Sequence, residues 1–159
     1  MSGRAIRRAI SAAAVLAVAL SVTSCSTTPR RPTVDQHEAM VRMQAFVHAT
    51  RDAFPGRSWK VQDGPTSEAC RTESGASGTA WTYTVTTTDR GSIDADLRIL
   101  EEFWKSKGVE FRVLPSAGPN DPLREVIGHH PDLDSIEFVH SRYKDGITAR
   151  SLCGDGTVV

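Results

Sequence analysis

Residues 9–20 form an apolar run behind Arg4, Arg7 and Arg8, and no other feature constrains the chain as much. A basic start, an apolar middle and a small-residue end are the three zones of a secretion signal. The run is too short to span a bilayer, which takes about 20 residues. Residues 1–24 therefore read as a leader removed on export, and the rest of the chain is expected to fold outside the cytoplasm.

The run ends in Val22-Thr23-Ser24-Cys25, which resembles the lipobox of bacterial lipoproteins: an aliphatic residue, two small ones, then the cysteine that takes the lipid. Small residues let a peptidase grip an extended backbone, and the thiol accepts a diacylglyceryl group. An ordinary secretory signal with an incidental cysteine is the alternative. Each buried methylene contributes about 0.8 kcal/mol, so two or more acyl chains on Cys25 would hold the protein on the outer face of the cell membrane. The expected partners are that membrane and an envelope protein.

Loss of Arg4, Arg7 and Arg8 leaves 16 basic against 19 acidic residues. A mildly acidic domain lacks the concentrated basic face that nucleic acid or anionic lipid requires. The roughly 134 residues after Cys25 suit one domain with a real core.

The expected organisation is a lipidated cysteine and flexible tether over residues 25–33, then a single α+β domain over residues 34–159. The tether contains Ser26-Thr27-Thr28-Pro29-Arg30-Arg31-Pro32, which has nothing to bury. Thr33-x-x-Gln36 has capping-box form, and Ala39, Met43, Phe46, Val47, Thr50 and Phe54 recur at helical spacing. Pro55-Gly56 stops that helix. A short strand is expected through Trp59 and Val61, then a long loop over residues 63–78 carrying Cys70. Residues 81–86 alternate large residues with threonines, as a half-buried strand does. After Asp89-Arg90-Gly91, Ser92 caps a second helix whose apolar face is Ile93, Leu97, Leu100 and Trp104. Asp94 and Asp96 favour its first turn, and Lys105, Lys107 and Gly108 its end. Val109, Phe111 and Val113 read as a strand, residues 115–122 as a loop and 123–127 as a weaker edge strand. Two last strands, 135–143 and 147–153, meet at a Lys144-Asp145-Gly146 turn. Two amphipathic helices need a surface to cover. The expected fold is a two-layer sandwich, with both helices on one face of a mainly antiparallel sheet of four to five strands.

With Cys25 lipidated, Cys70 and Cys153 remain as an even pair in an oxidising compartment and read as a disulfide. Two buried free thiols are the alternative. Phe54-Pro55-Gly56-Arg57-Ser58-Trp59-Lys60, followed by Asp63, Pro65 and Cys70, resembles the Pro-Gly-x-x-Trp-Lys segment and next cysteine of the LppA-like mycobacterial lipoproteins. The resemblance implies an envelope location, the same cysteine pair and an α+β domain; it implies no enzymatic activity.

Gly128-His129-His130-Pro131-Asp132-Leu133-Asp134 is the most chemical-looking stretch. Its imidazoles and carboxylates are donors suited to zinc or copper, but adjacent side chains on an extended segment point opposite ways, so a solvated loop is the expectation. His37 and His48 on the first helix, and His140 in a strand, read as surface or half-buried residues. Asp94, Asp96, Glu101 and Glu102 read as a solvated helix face. Trp59, Trp81, Tyr83 and Trp104 could line a groove, but their spacing fits core packing. Serine-nucleophile and phosphate-loop signatures are missing; Ser67-x-x-Cys70 and Ser141-x-x-Lys144 are too short to signify. No catalytic residue and no cofactor are expected. The leading reading is a noncatalytic binding or scaffolding module. Its alternatives are a metal-handling or enzymatic accessory using His129, His130, Asp132 and Asp134, and a carrier with an apolar cavity between helices and sheet.

Overall fold

The computed structural model describes residues 33–116, 118 and 123–156. The leader, Cys25, nearly all of the tether and most of the 115–122 loop lie outside them.

Helix α1 spans Gln36–Asp52, and its cap is Asp35, not Thr33: the Asp35 carboxylate accepts hydrogen bonds from the backbone N–H groups of His37 and Glu38. Aspartate and threonine are both good caps, so the pattern alone left the start uncertain by two residues. The buried stripe is Ala39, Met43, Val47 and Thr50, with Phe54 burying just beyond the helix end. Gly56 turns the chain away at φ 78°. Helix α2 spans Ile93–Ser106, with the Ser92 hydroxyl accepting from the Ala95 N–H. Its buried face is Asp96, Leu100 and Trp104, one polar residue among apolar ones.

Among the described residues the sheet has seven strands, more than the four to five expected, and all their pairings are antiparallel. They are β1 (Lys60–Arg71), β2 (Ser77–Thr87), β3 (Glu110–Val113), β4 (Arg124–His130), β5 (Leu133–His140), β6 (Asp145–Ser151) and β7 (Gly154–Asp155). Their spatial order is β1-β2-β6-β5-β4-β3, and β7 pairs with β2.

Three expectations are corrected here. Most of the supposed loop over 63–78 is strand β1, almost wholly exposed and so without an alternating pattern. Its order comes from pairing with β2, broken by two irregularities around Asp63. Gly64, at φ 85°, lies against that partner, where a Cβ would come 2.3 Å from the Thr82 carbonyl oxygen. Strand β4, expected at an edge, lies between β3 and β5. The β5–β6 turn is Ser141 to Lys144: the Ser141 N–H donates to the Lys144 carbonyl, and the Ser141 hydroxyl accepts from the N–H groups of Tyr143 and Lys144. Asp145 and Gly146 already belong to the ladder, opposite His140 and Val139.

Both helices bury into one core with the sheet. They also touch each other, since Trp104 Nε1 donates to Thr50 Oγ1 at 3.4 Å and the rings of Phe46 and Phe103 lie 6.5 Å apart. Phe54 stacks on Phe138 with ring centroids 5.5 Å apart. The opposite side of the sheet carries polar residues. There the Thr84 and Thr148 hydroxyls meet at 3.1 Å, and Arg150 of β6 donates to Glu68 of β1 and to Asp134.

One end of β2 is heavily fastened. Cys70 and Cys153 are joined by a disulfide, with Cα atoms 5.9 Å apart. Strand β7 follows immediately, and the Asp155 N–H donates to the Val34 carbonyl at 2.8 Å where the chain enters α1. Gly154 lies so close to Gln36 that a Cβ would come 2.4 Å from its Cα. Helix α1, 17 residues long and so about 25 Å, runs from there toward the other end of the sheet.

Candidate functional site

That other end collects four ionisable side chains from four segments. Arg57 comes from the loop after α1, Asp96 from the first turn of α2, His140 from the last residue of β5 and Asp145 from the first of β6. Arg57 Nη1 donates to Asp145 Oδ2 at 2.9 Å, and Nη2 donates to Asp96 Oδ1. Its guanidinium also lies over the Phe54 ring, 4.8 Å from the centroid. The side chains are 10% (Arg57), 1% (Asp96), 0% (Asp145) and 8% (His140) exposed.

Each carboxylate thus gives one oxygen to Arg57 and turns the other toward His140. His140 Nδ1 lies 2.8 Å from Asp145 Oδ1 and 3.6 Å from Asp96 Oδ2. At 2.8 Å the first pair is in ion-pair contact. Asp96 Oδ2, His140 Nδ1 and Asp145 Oδ1 are all buried without a hydrogen-bond partner. Burying such atoms unsatisfied is expensive. Burial holds the Asp145 carboxyl above the usual carboxylate range; His140 opposes this, Asp96 adds to it, and Arg57 and Arg90 oppose it.

Charge sharpens the question of what completes the cluster. With both carboxylates ionised, one guanidinium and two carboxylates leave a single negative charge, which either a proton within the cluster or a cation among the three inward atoms would offset. Among the described residues, Asp96, His140 and Asp145 form a group whose ligand atoms all lie within 4.8 Å of one another. Gly91 belongs to the design, since a Cβ there would stand 2.6 Å from Asp96 Oδ1 and 2.7 Å from Arg57 Nη2.

The stretch singled out in the sequence is arranged otherwise. His129 and His130 end β4, with His129 exposed and its Nδ1 3.2 Å from the Asp134 carbonyl oxygen. His130 packs on the Phe46 ring at 4.8 Å, and its Nδ1 accepts from the Asp132 N–H. Arg42 takes the Asp132 carboxylate and Arg150 that of Asp134. The four donors therefore do not converge: the carboxylates are engaged by arginines and the imidazoles by ring packing and backbone.

Two other readings change. His140 is buried, not a surface residue, and Asp96 leaves the solvated acidic face to which Asp94 and Glu102 do belong. His37 is exposed, and His48 is half-buried with Nε2 3.3 Å from the Tyr83 hydroxyl. Trp59, Trp81, Tyr83 and Trp104 all pack in or against the core. Glu101 is half-buried beside Lys105. Trp104, Met43, Leu100, Ile136 and Phe138 fill the space between helices and sheet that an apolar ligand would need. A hollow of about 440 Å³ beside the cluster is lined by residues 51–52 and 54–59, Arg57 among them.

No protein-family model matches this chain, and no curated protein does. Among solved structures it is similar to the crystal structure of a DUF4853 family protein from Actinomyces odontolyticus, with a TM-score of 0.59 and 17% sequence identity over 82% of this chain and 73% of that one. At that identity the likeness concerns the fold alone.

Proposed function

We propose that this chain is an exported lipoprotein, held on the outer face of the cell membrane by lipid on Cys25, whose α+β domain is a noncatalytic binding or scaffolding module of the envelope. The observation that carries the reading is Cys25 itself, standing where the apolar run of the leader stops. The bond between Cys70 and Cys153 supports it, because disulfides persist in oxidising compartments. The resemblance of the Pro55-Gly56 to Cys70 segment to the LppA-like lipoproteins points the same way.

Within the described domain, Val34 lies at the disulfide end of β2, and α1 leads from there toward the loops around Arg57, Arg90 and Ser141.

Labelling with a palmitate analogue and detergent phase partitioning test the anchor. The native chain is expected in the detergent phase with label, and a Cys25→Ala variant in the aqueous phase without it. A native chain that retains residues 1–24 and partitions into water would overturn the proposal.

A further inference from the structure

The geometry points to a binding site for one transition-metal dication of the zinc class, formed by Asp96 Oδ2, His140 Nδ1 and Asp145 Oδ1 at the end of the sheet. Acidic residues together are common on proteins and signify little. Here the carboxylates are 1% and 0% exposed and the imidazole 8%, and the three atoms that face one another are the ones without hydrogen bonds. Buried polar groups are ordinarily hydrogen-bonded, and here three such atoms face one another with only ion-pair contacts among themselves.

The donor set selects the ion. One imidazole with two carboxylates suits zinc, manganese, iron or cobalt, whereas calcium and magnesium take oxygen donors. Donors about 2.0–2.2 Å from zinc stand roughly 2.9 to 3.5 Å apart at octahedral or tetrahedral angles. The two nitrogen–oxygen separations, 2.8 and 3.6 Å, lie at the edges of that span, and all three atoms fall within 4.8 Å of one another. Arg57 occupies the outer oxygens of both carboxylates. It would act as a positioning residue, fixing which oxygen of each carboxylate faces inward, as outer-shell groups do around metal sites. The ligands come from α2, β5 and β6, so an ion would tie α2 to two strands already paired with each other in the sheet.

A proton on His140 is the competing occupant. An imidazolium there offsets the same charge, and the two cannot coexist, because a metal-bound Nδ1 carries no proton.

The test uses the full chain stripped with a chelator and titrated with zinc, and separately with cobalt as a visible-absorbing probe. The expected result is one ion per chain, cobalt d–d absorption bands, and a loss of affinity of at least tenfold in His140→Ala and in Asp145→Asn. A His129→Ala/His130→Ala variant should bind as the native chain does. Nitrogen-15 spectra of the native chain give a readout that does not depend on the variants folding: the His140 Nδ1 resonance should move on adding zinc. Absence of stoichiometric binding, unchanged binding in His140→Ala, or a His140 ring still protonated on both nitrogens with zinc in excess would overturn the assignment.

Discussion

Arg57 and Asp145, 88 residues apart in sequence, are joined by a 2.9 Å hydrogen bond between Nη1 and Oδ2, in a place where the carboxylate has no exposure to solvent. Removing the guanidinium would strand two buried carboxylates, and breaking one side of a buried ion pair costs about 3–5 kcal/mol. Arg57→Ala should therefore lower the urea midpoint by a large fraction of the total stability. Arg57→Lys should recover little, since an ammonium cannot fork to both carboxylates. An unfolding free energy within about 0.5 kcal/mol of the native value, on the scale of an ordinary surface substitution, would contradict a buried ion pair here.

The Cys70–Cys153 bond spans 83 residues. On the chain-entropy account, closing such a loop contributes roughly 4 to 5 kcal/mol. Denaturation with and without reductant measures the difference, and Cys70→Ser/Cys153→Ser should match the reduced chain. A stability unaffected by reductant would show that the bond does not constrain the unfolded chain.

Gly128 faces Trp104 across the core. A Cβ there would come 2.7 Å from Val109 Cγ1, 3.0 Å from Trp104 Cζ3 and 3.1 Å from Ile136 Cγ2. Overpacking of this kind costs about 1–3 kcal/mol. Gly128→Ala should lose that much and alter the near-ultraviolet dichroism of the buried indole, whereas Gly75→Ala, which meets no neighbour but has φ 82°, should leave that signal unchanged.

On the open side of the sheet, burial raises the Glu137 carboxyl above its ordinary value of 4.5, and the charge of Glu125 and a hydrogen bond with it add to the rise. A raised carboxyl favours the fold while it is protonated, and that contribution disappears as pH climbs through the folded-state value. Relative to Glu137→Gln, the native chain should thus lose stability as pH rises from below 4.5. In Glu125→Gln the Glu137 titration should move down, as carbon-13 spectra of the carboxyl would show. An unmoved titration would remove Glu125 as a cause.

Much of this architecture was legible in the sequence, for identifiable reasons. Ala39, Met43, Val47 and Thr50 repeat at helical spacing, and Thr82, Thr84 and Thr86 of β2 alternate with the buried Tyr83, Val85 and Thr87, so one-sided burial announced both elements. Strand β1 left no such trace, because it is exposed along nearly its whole length; backbone pairing orders it, and backbone pairing has no composition. Asp145-Gly146 looked like a turn, but Arg57 draws Asp145 into the interior and Ser141 supplies the side-chain bonds that close the turn earlier. The cluster was half visible. Asp96 stands four and eight residues before Leu100 and Trp104, and His140 two after Phe138, which places both on apolar faces. That these faces meet Arg57 at one corner depends on the order of the strands, which local spacing does not encode.

The stitching of β7 to Val34, beside the Cys70–Cys153 bond, has a mechanical meaning. Any tug on the backbone ahead of Val34 is delivered to the Asp155 hydrogen bond and the β7–β2 ladder, and behind them to a covalent link, before it reaches α1. Such a joint shares the strain among several bonds at once, a covalent one included, so the hold on the start of the first helix does not rest on its own first turn alone.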